Sequence, residues 1–218
     1  MTSPDPPRTP QLRLFDKNIQ YARDLITGGA ALQGLRNFPA ADYGDLGKAH
    51  PEDLYRAAWN QAVAAMDHWL HDEVIERAVK LANDTGNQRP PSLANLKMPF
   101  KMVERMRNEA ANVVFRDFLE DEYRRKSFHN TEDITGGIKL VTHLTSDRIW
   151  DTIGKAFNMT REQVKQRHDG EIIKRRNDIS HRADMNANGQ RQPMSEDQAR
   201  AAIEWISNLV HELFGLLG

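Results

Sequence analysis

The chain has 218 residues, 30 Lys and Arg against 31 Asp and Glu, a formal net charge of −1, and no cysteine. That length suffices for one sizeable core, and the lack of thiols excludes disulfides and thiolate metal sites, which suits a reducing cytoplasm. Near-neutral charge means that the chain as a whole does not advertise nucleic-acid binding, and neither an apolar run of ~20 residues nor a signal-peptide region is present, so no membrane partner is expected.

Pro4, Pro6, Pro7 and Pro10 predict a disordered tail over residues 1–10, leaving a single domain over 11–218. Leu12, Phe15, Ile19, Ala22 and Ile26 alternate by three and four, which predicts an amphipathic helix ended by Gly28-Gly29. Residues 30–50 read as an irregular connection. Pro51 opens a long helix over 51–83, with Leu54, Ala58, Ala62, Met66, Trp69, Val74, Ala78 and Leu81 in helical register. His68 and Asp72 lie four apart on it, a spacing that permits metal binding, but surface polar residues flanking an apolar stripe explain it well enough. No metal and no cofactor is expected.

Asp84 to Ser92 is a loop by its Gly, Asn and Pro content. Pro99 opens a helix predicted to run to 126, with Phe100, Val103, Met106, Ala110, Val113, Val114 and Leu119 inward. Asn130 with Asp133 marks the next start, though Gly136 and Gly137 weaken that helix. Thr145 or Ser146 starts another, ending near Phe157. Thr160 to Gln163 fits a capping box, and so does Ser195 to Gln198 before the last helix. Asp169-Gly170 is expected to break or kink the helix begun at Thr160, which resumes to about Ala183. No segment alternates with a period of two. The fold class is therefore all-α, a helical bundle with extra short helices.

One stretch stands apart: RRNDISHRAD, Arg175 to Asp184. On an ideal helix, with Arg176 at zero and about 100° per residue, Ser180 lies near 40°, Asn177 near 100° and His181 near 140°. Ile172, Ile179 and Ala183 lie within about 60° on the other side. Arg176 is thus expected inside an apolar stripe, where an arginine is costly unless paired or used. Lys174, Arg175 and Arg182 fall on the outer face. Residues 161–182 also carry an excess of Lys and Arg over Asp and Glu, a pattern shared by solvated helices and by phosphate-binding ones.

Arginine with histidine suits cleavage of an RNA phosphodiester. The imidazole exchanges a proton near neutral pH, and the guanidinium offers a fixed cationic fork to phosphate oxygens. Bare spacing does not select the pair, because Arg124/His129, Arg161/His168 and Arg175/His181 have similar gaps. Context selects Arg176/His181, with Asn177 following the arginine. The plain alternative is an ion-paired Arg176 and a His181 that ends its helix against the dipole.

The stretch resembles the signature of the HEPN superfamily, small α-helical domains with Arg, four to six residues, then His. It is most similar to the RiboL-PSP-HEPN subgroup, and Ala64 to Val74 (AAMDHWLHDEV) resembles the same subgroup. The resemblance covers about residues 11–217. It implies a HEPN-type bundle that dimerises, with two motif helices forming one cleft. It implies Arg176 and His181 as catalytic pair, with Asn177 as the polar residue after the arginine. The activity implied is metal-independent endoribonuclease, with RNA as substrate, in toxin–antitoxin or anti-phage defence beside an antitoxin or other defence-system partner protein. Lys174, Arg175 and Arg182 would hold flanking phosphates. The family also includes inactive members that bind RNA or a partner protein. A third reading is DNA binding, since Ile153 to Arg167 has a helix–turn–helix pattern.

Overall fold

The computed structural model describes residues 8–35, 46, 48–86 and 88–218. Its helices are α1 (Pro10–Leu35), α2 (Pro51–Asn83), α3 (Pro91–Ala94), α4 (Phe100–Arg105), α5 (Ala111–Tyr123), α6 (Thr131–Val141), α7 (Ser146–Phe157), α8 (Arg161–Lys165), α9 (Lys174–Arg182) and α10 (Glu196–Leu217). A π-helical segment, Gln166–Ile173, joins α8 to α9. Among the described residues there is no strand, only an isolated bridge between Met185 and Arg191. The protein is an all-α helical bundle. No helix among the described residues is long and apolar enough to cross a membrane.

The bundle is built on α2. It packs against α1, α5, α6, α9 and α10. Ala58, Ala62, Val63, Met66, Leu70, Val74 and Ala78 are all buried along it. A helix surrounded this way carries apolar residues on more than one side. Its small alanines let neighbours approach, while Trp69 fills space between them. Each fully buried Leu, Ile or Met contributes about 1.5–3 kcal/mol over leaving it in water.

Four helix starts follow the side-chain chemistry read in the sequence. Asn130 accepts from the Asp133 amide, Thr145 from Arg148, Thr160 from Gln163 and Ser195 from Gln198. The last two are complete capping boxes, with the glutamine reaching back to the cap amide.

Three expectations need correction. The N-terminal tail was expected to reach residue 10, yet Pro10 opens α1, and Thr9 caps it by accepting from the Leu12 amide at 3.2 Å. Thr9 also donates to buried Glu73 at 2.8 Å, which fastens this end to α2. Residues 1–7 lie outside the described residues, as do 36–45 and 47 of the expected irregular connection. Second, α1 does not end at Gly28-Gly29 but runs on to Leu35. Gly29 is there for space, since a Cβ on it would collide with the Tyr55 ring of α2. Third, the helix expected over 99–126 is two helices, α4 and α5, separated at Met106–Ala110. Arg105 spans the break, pairing with Glu109 at 2.6 Å and with Asp117 at 2.7 Å. The split turns Phe100, Val103 and Val113 outward, against expectation, and buries Met102, Val114, Phe118 and Leu119.

The paired glycines of α6 give a direct check on close packing. Gly137 is buried, and a Cβ on it would lie 2.7 Å from Cε1 of Phe128. Gly136 is exposed with nothing within 4 Å. Gly136→Ala is therefore expected to stabilise by about 0.5–1 kcal/mol, through helix propensity and a less flexible unfolded chain. Gly137→Ala is expected to destabilise by about 1–3 kcal/mol, through overpacking. Urea titrations of the two variants should move in opposite directions. Equal shifts would contradict the packing argument.

Candidate functional site

The motif helix inherits its position from the π segment. In π geometry each amide bonds five residues back instead of four, and the turn widens. The Lys174 amide accordingly bonds to the Asp169 carbonyl. The carbonyl of Ile172 accepts from the Trp59 indole of α2 at 3.1 Å. The Asp169 carboxylate takes both the amide (2.9 Å) and the hydroxyl (2.6 Å) of Thr131, at the start of α6. So Asp169-Gly170 marks a widened helix pinned at both edges rather than a break.

His168 sits at the centre of this segment and is fully buried. The Trp205 indole donates to its Nδ1 at 3.2 Å, so Nε2 carries the proton and donates to the His129 carbonyl at 2.7 Å. Burial pushes the imidazole below its ordinary pKa of 6.5, against the raising effects of the His129 carbonyl and Asp169. The sign of the pH effect follows. As pH falls through about 6.5 the unfolded chain takes up a proton while folded His168 does not, so stability is lost on acidification. The loss reaches at most about 1.4 kcal/mol per pH unit for one proton, until the folded pKa is reached. His168→Gln is expected to flatten this slope between pH 7.5 and 5.5 in urea titrations. An unchanged slope would show that another group carries the acid sensitivity.

Arg176 is expected inside the apolar stripe of α9 but lies at its edge. Asp178 is the buried residue of α9, with Arg175 and Ile179 half-buried beside it. Arg176 is half-buried at the edge of that face, and Asn177, Ser180 and His181 are exposed. The arc Arg176–Asn177–Ser180–His181 is thus continuous, as the spacing predicts, but it faces outward. Arg176 donates from Nη1 to Asn177 Oδ1 at 3.1 Å. Among the described residues Arg176 has no carboxylate partner, and His181 has neither a hydrogen bond nor an ion pair.

Arg175 is the inward arginine, which corrects its assignment to the outer, phosphate-holding face. Its Nη2 donates to Asp184 Oδ2 at 2.9 Å and to the Pro193 carbonyl at 2.9 Å, and its Nη1 donates to Gln192 Oε1 at 2.7 Å. Asp184 is completely buried. Its Oδ2 also accepts from Nε of Arg56 at 2.7 Å, and that arginine, on α2, is itself only 6% exposed. Arg56 further donates to the Gln192 carbonyl at 2.6 Å and to Asp53 at 3.0 Å. Lys174 and Arg182 do stay exposed, with Asp178 between them. Lys174 Nζ lies 2.9 Å and Arg182 Nη1 3.7 Å from its carboxylate. The Lys174 hydrogen bond, aided by the charges of Lys174, Arg182 and Arg175, holds the Asp178 carboxyl below its usual range.

The second stretch singled out, Ala64 to Val74, supplies structural contacts. Asp67 accepts from the Phe128 amide at 2.5 Å and lies 3.5 Å from His129 and 3.8 Å from His71. Burial raises its carboxyl, but the His129 and Phe128 hydrogen bonds with the two imidazoles outweigh this and lower it overall. His68 and Asp72 form an exposed pair at 3.6 Å. No group of three or more His, Asp or Glu among the described residues is placed to hold a metal ion.

The helix–turn–helix pattern corresponds to α7 and α8 joined by a turn at Asn158. Asn158 adopts a left-handed conformation with φ 53°, and a Cβ on Gly154 would lie 2.6 Å from the Met159 carbonyl. The groove beyond it is lined by Met159, Glu162, Gln163, Gln166, Arg167 and Glu171. Arg161 is spent on Asp147 and Glu162, and Arg167 stacks on Trp205 at 4.6 Å.

Comparison with known proteins gives no match to any family model, curated protein or solved structure.

Proposed function

We propose that the protein is a metal-independent endoribonuclease of HEPN type, acting in the cytoplasm as a homodimer in toxin–antitoxin or anti-phage defence. The observation that carries this reading is the outward arc of α9. It offers an arginine, an amide and a histidine to a ligand, with no carboxylate among the described residues neutralising the arginine.

Cleavage by the ribose 2′-OH needs a base at that hydroxyl and an acid at the departing 5′-oxygen. One copy supplies one histidine in the arc, so the chemistry calls for a second copy. Neutral His181 of one protomer removes the 2′-OH proton, O2′ attacks phosphorus, and the P–O5′ bond breaks. Protonated His181 of a second copy gives its proton to O5′. The products are a 2′,3′-cyclic phosphate and a 5′-hydroxyl, and the two imidazoles have exchanged protonation states. Arg176 donates to the non-bridging oxygens as charge builds on them. Lys174 and Arg182 supply outer phosphate contacts, weakened by their shared Asp178.

The test is expression of wild type beside His181→Ala, with sequencing of RNA ends and assay in EDTA. New cyclic-phosphate ends only with wild type, persisting in EDTA, are expected. Equal cleavage by both would sink the assignment. One observation favours a second reading, an inactive HEPN module that binds RNA or a partner protein: no described residue orients the His181 ring, whereas catalytic imidazoles are usually held by a third group. RNA binding without cleavage across varied substrates would select it.

A further inference from the structure

We propose that Asp184, clamped by Arg56 and Arg175, is a positioning residue that fixes the end of α9 and thereby the stance of Arg176 and His181. The kinetic part of this inference rests on the nuclease reading; the geometric part does not.

The end of α9 is an unfavourable piece of backbone. Ala183 and Asp184 are consecutive non-glycine residues at φ 50° and 60°. L-residues pay to adopt this left-handed conformation, so surrounding contacts must impose it. Those contacts converge on Asp184. Its amide donates to the Asp178 carbonyl at 2.9 Å, closing the helix end. Its carbonyl accepts from the Gln192 amide at 2.9 Å, closing the loop that follows. Its Oδ2 receives one guanidinium from α2 and one from α9. The same two arginines bind the carbonyls of Gln192 and Pro193. One buried residue thus ties together α2 and the first turn of α9 through its carboxylate, and the end of α9 and the 184–193 loop through its backbone. His181 stands three residues before it, and its side chain has no partner among the described residues, so its location depends on that helix end.

Asp184 Oδ1 and Arg175 Nε are both buried without a partner among the described residues. Arg175 therefore divides its donors among Asp184, Gln192 and Pro193 instead of closing a two-bond fork on the carboxylate. A clamp of this kind holds geometry through several moderate contacts, and changing its charge should shift the helix end without dissolving the core.

The experiment compares full-length wild type, Asp184→Asn, Arg56→Lys and His181→Ala. Steady-state cleavage gives kcat and KM. Proton–carbon spectra of the histidine rings report the site without activity, with the His181 signal identified by its loss in His181→Ala. Asp184→Asn keeps the side-chain shape and removes the charge that both guanidiniums bind. Its kcat is expected to fall ten-fold or more, with KM within two-fold of wild type, the His181 ring signal displaced and the far-UV circular dichroism unchanged. Arg56→Lys keeps charge but not the fork, and is expected to do the same to a smaller extent. It carries the test if Asp184→Asn does not fold. A folded variant with wild-type kcat, or with low kcat and an unmoved His181 signal, overturns the proposal. If wild type cleaves no RNA the nuclease reading falls separately: a displaced His181 signal then still supports the positioning role, and an unmoved one overturns it.

Discussion

Asp184→Ala is expected to cost about 3–5 kcal/mol of folding stability, the range for removing one partner of a buried ion pair. Two arginines lose their shared counter-charge, and Arg56 has almost no access to water in which to recover it. Gln192 keeps its backbone bond to residue 184, but its carbonyl and that of Pro193 are then held by arginines that have lost this buried counter-charge. A neighbouring pair gives the control. Arg191 and Asp53 meet at 2.5 Å, but their side chains are 46% and 47% exposed. Arg191→Ala is expected to cost no more than about 1 kcal/mol, because an exposed pair is screened by water. Urea titration of both variants decides the matter. A loss below about 1 kcal/mol for Asp184→Ala would mean that the cluster relaxes around water and is not a clamp.

The reading of the sequence succeeded where one residue's chemistry fixes a local structure. Asn130, Thr145, Thr160 and Ser195 cap helices because their side-chain oxygens replace a missing backbone acceptor, whatever surrounds them. It failed where a residue answers to a distant partner. Gly29 reads as a stop signal, but it makes room for Tyr55, which lies on another helix. The stripe around Arg176 rests on Ile172, Ile179 and Ala183 at a constant angle, but Ile172 lies in the π segment and Ala183 leaves helical geometry at φ 50°. Arg175 then takes the inward place assigned to Arg176, because its partner Asp184 is held by Arg56, 128 residues away. One signal for this was present. Arg56, Trp59, Val63, Met66 and Leu70 follow helical spacing, so Arg56 sits in an apolar stripe and requires a buried acid. His168 left no comparable trace, since its two partners, the His129 carbonyl and the Trp205 indole, are set by tertiary packing alone.

On the nuclease reading, His181→Ala is expected to lower kcat by about 10²–10⁴, the range for loss of a proton-transfer group. In a two-fold site the loss is compounded, because the substitution removes the base from one copy and the acid from the other. Arg176→Ala is expected to lower kcat by about 10²–10³, comparable to losing one donor to a developing anion. The two effects should not add. With proton transfer gone the phosphorane no longer forms by the same route, so the double variant should fall close to His181→Ala alone. Stability gives the opposite pattern. Neither side chain has a carboxylate partner among the described residues, and His181 is exposed. Both variants should keep their folding stability within about 0.5 kcal/mol of wild type. Asn177→Ala frees the Arg176 fork from its 3.1 Å bond, and its kcat loss should lie below that of Arg176→Ala. Measured kcat values and urea midpoints on the same preparations separate the readings. Large kinetic losses at constant stability mark Arg176 and His181 as chemical groups, whereas destabilisation in parallel with activity would return them to a structural role.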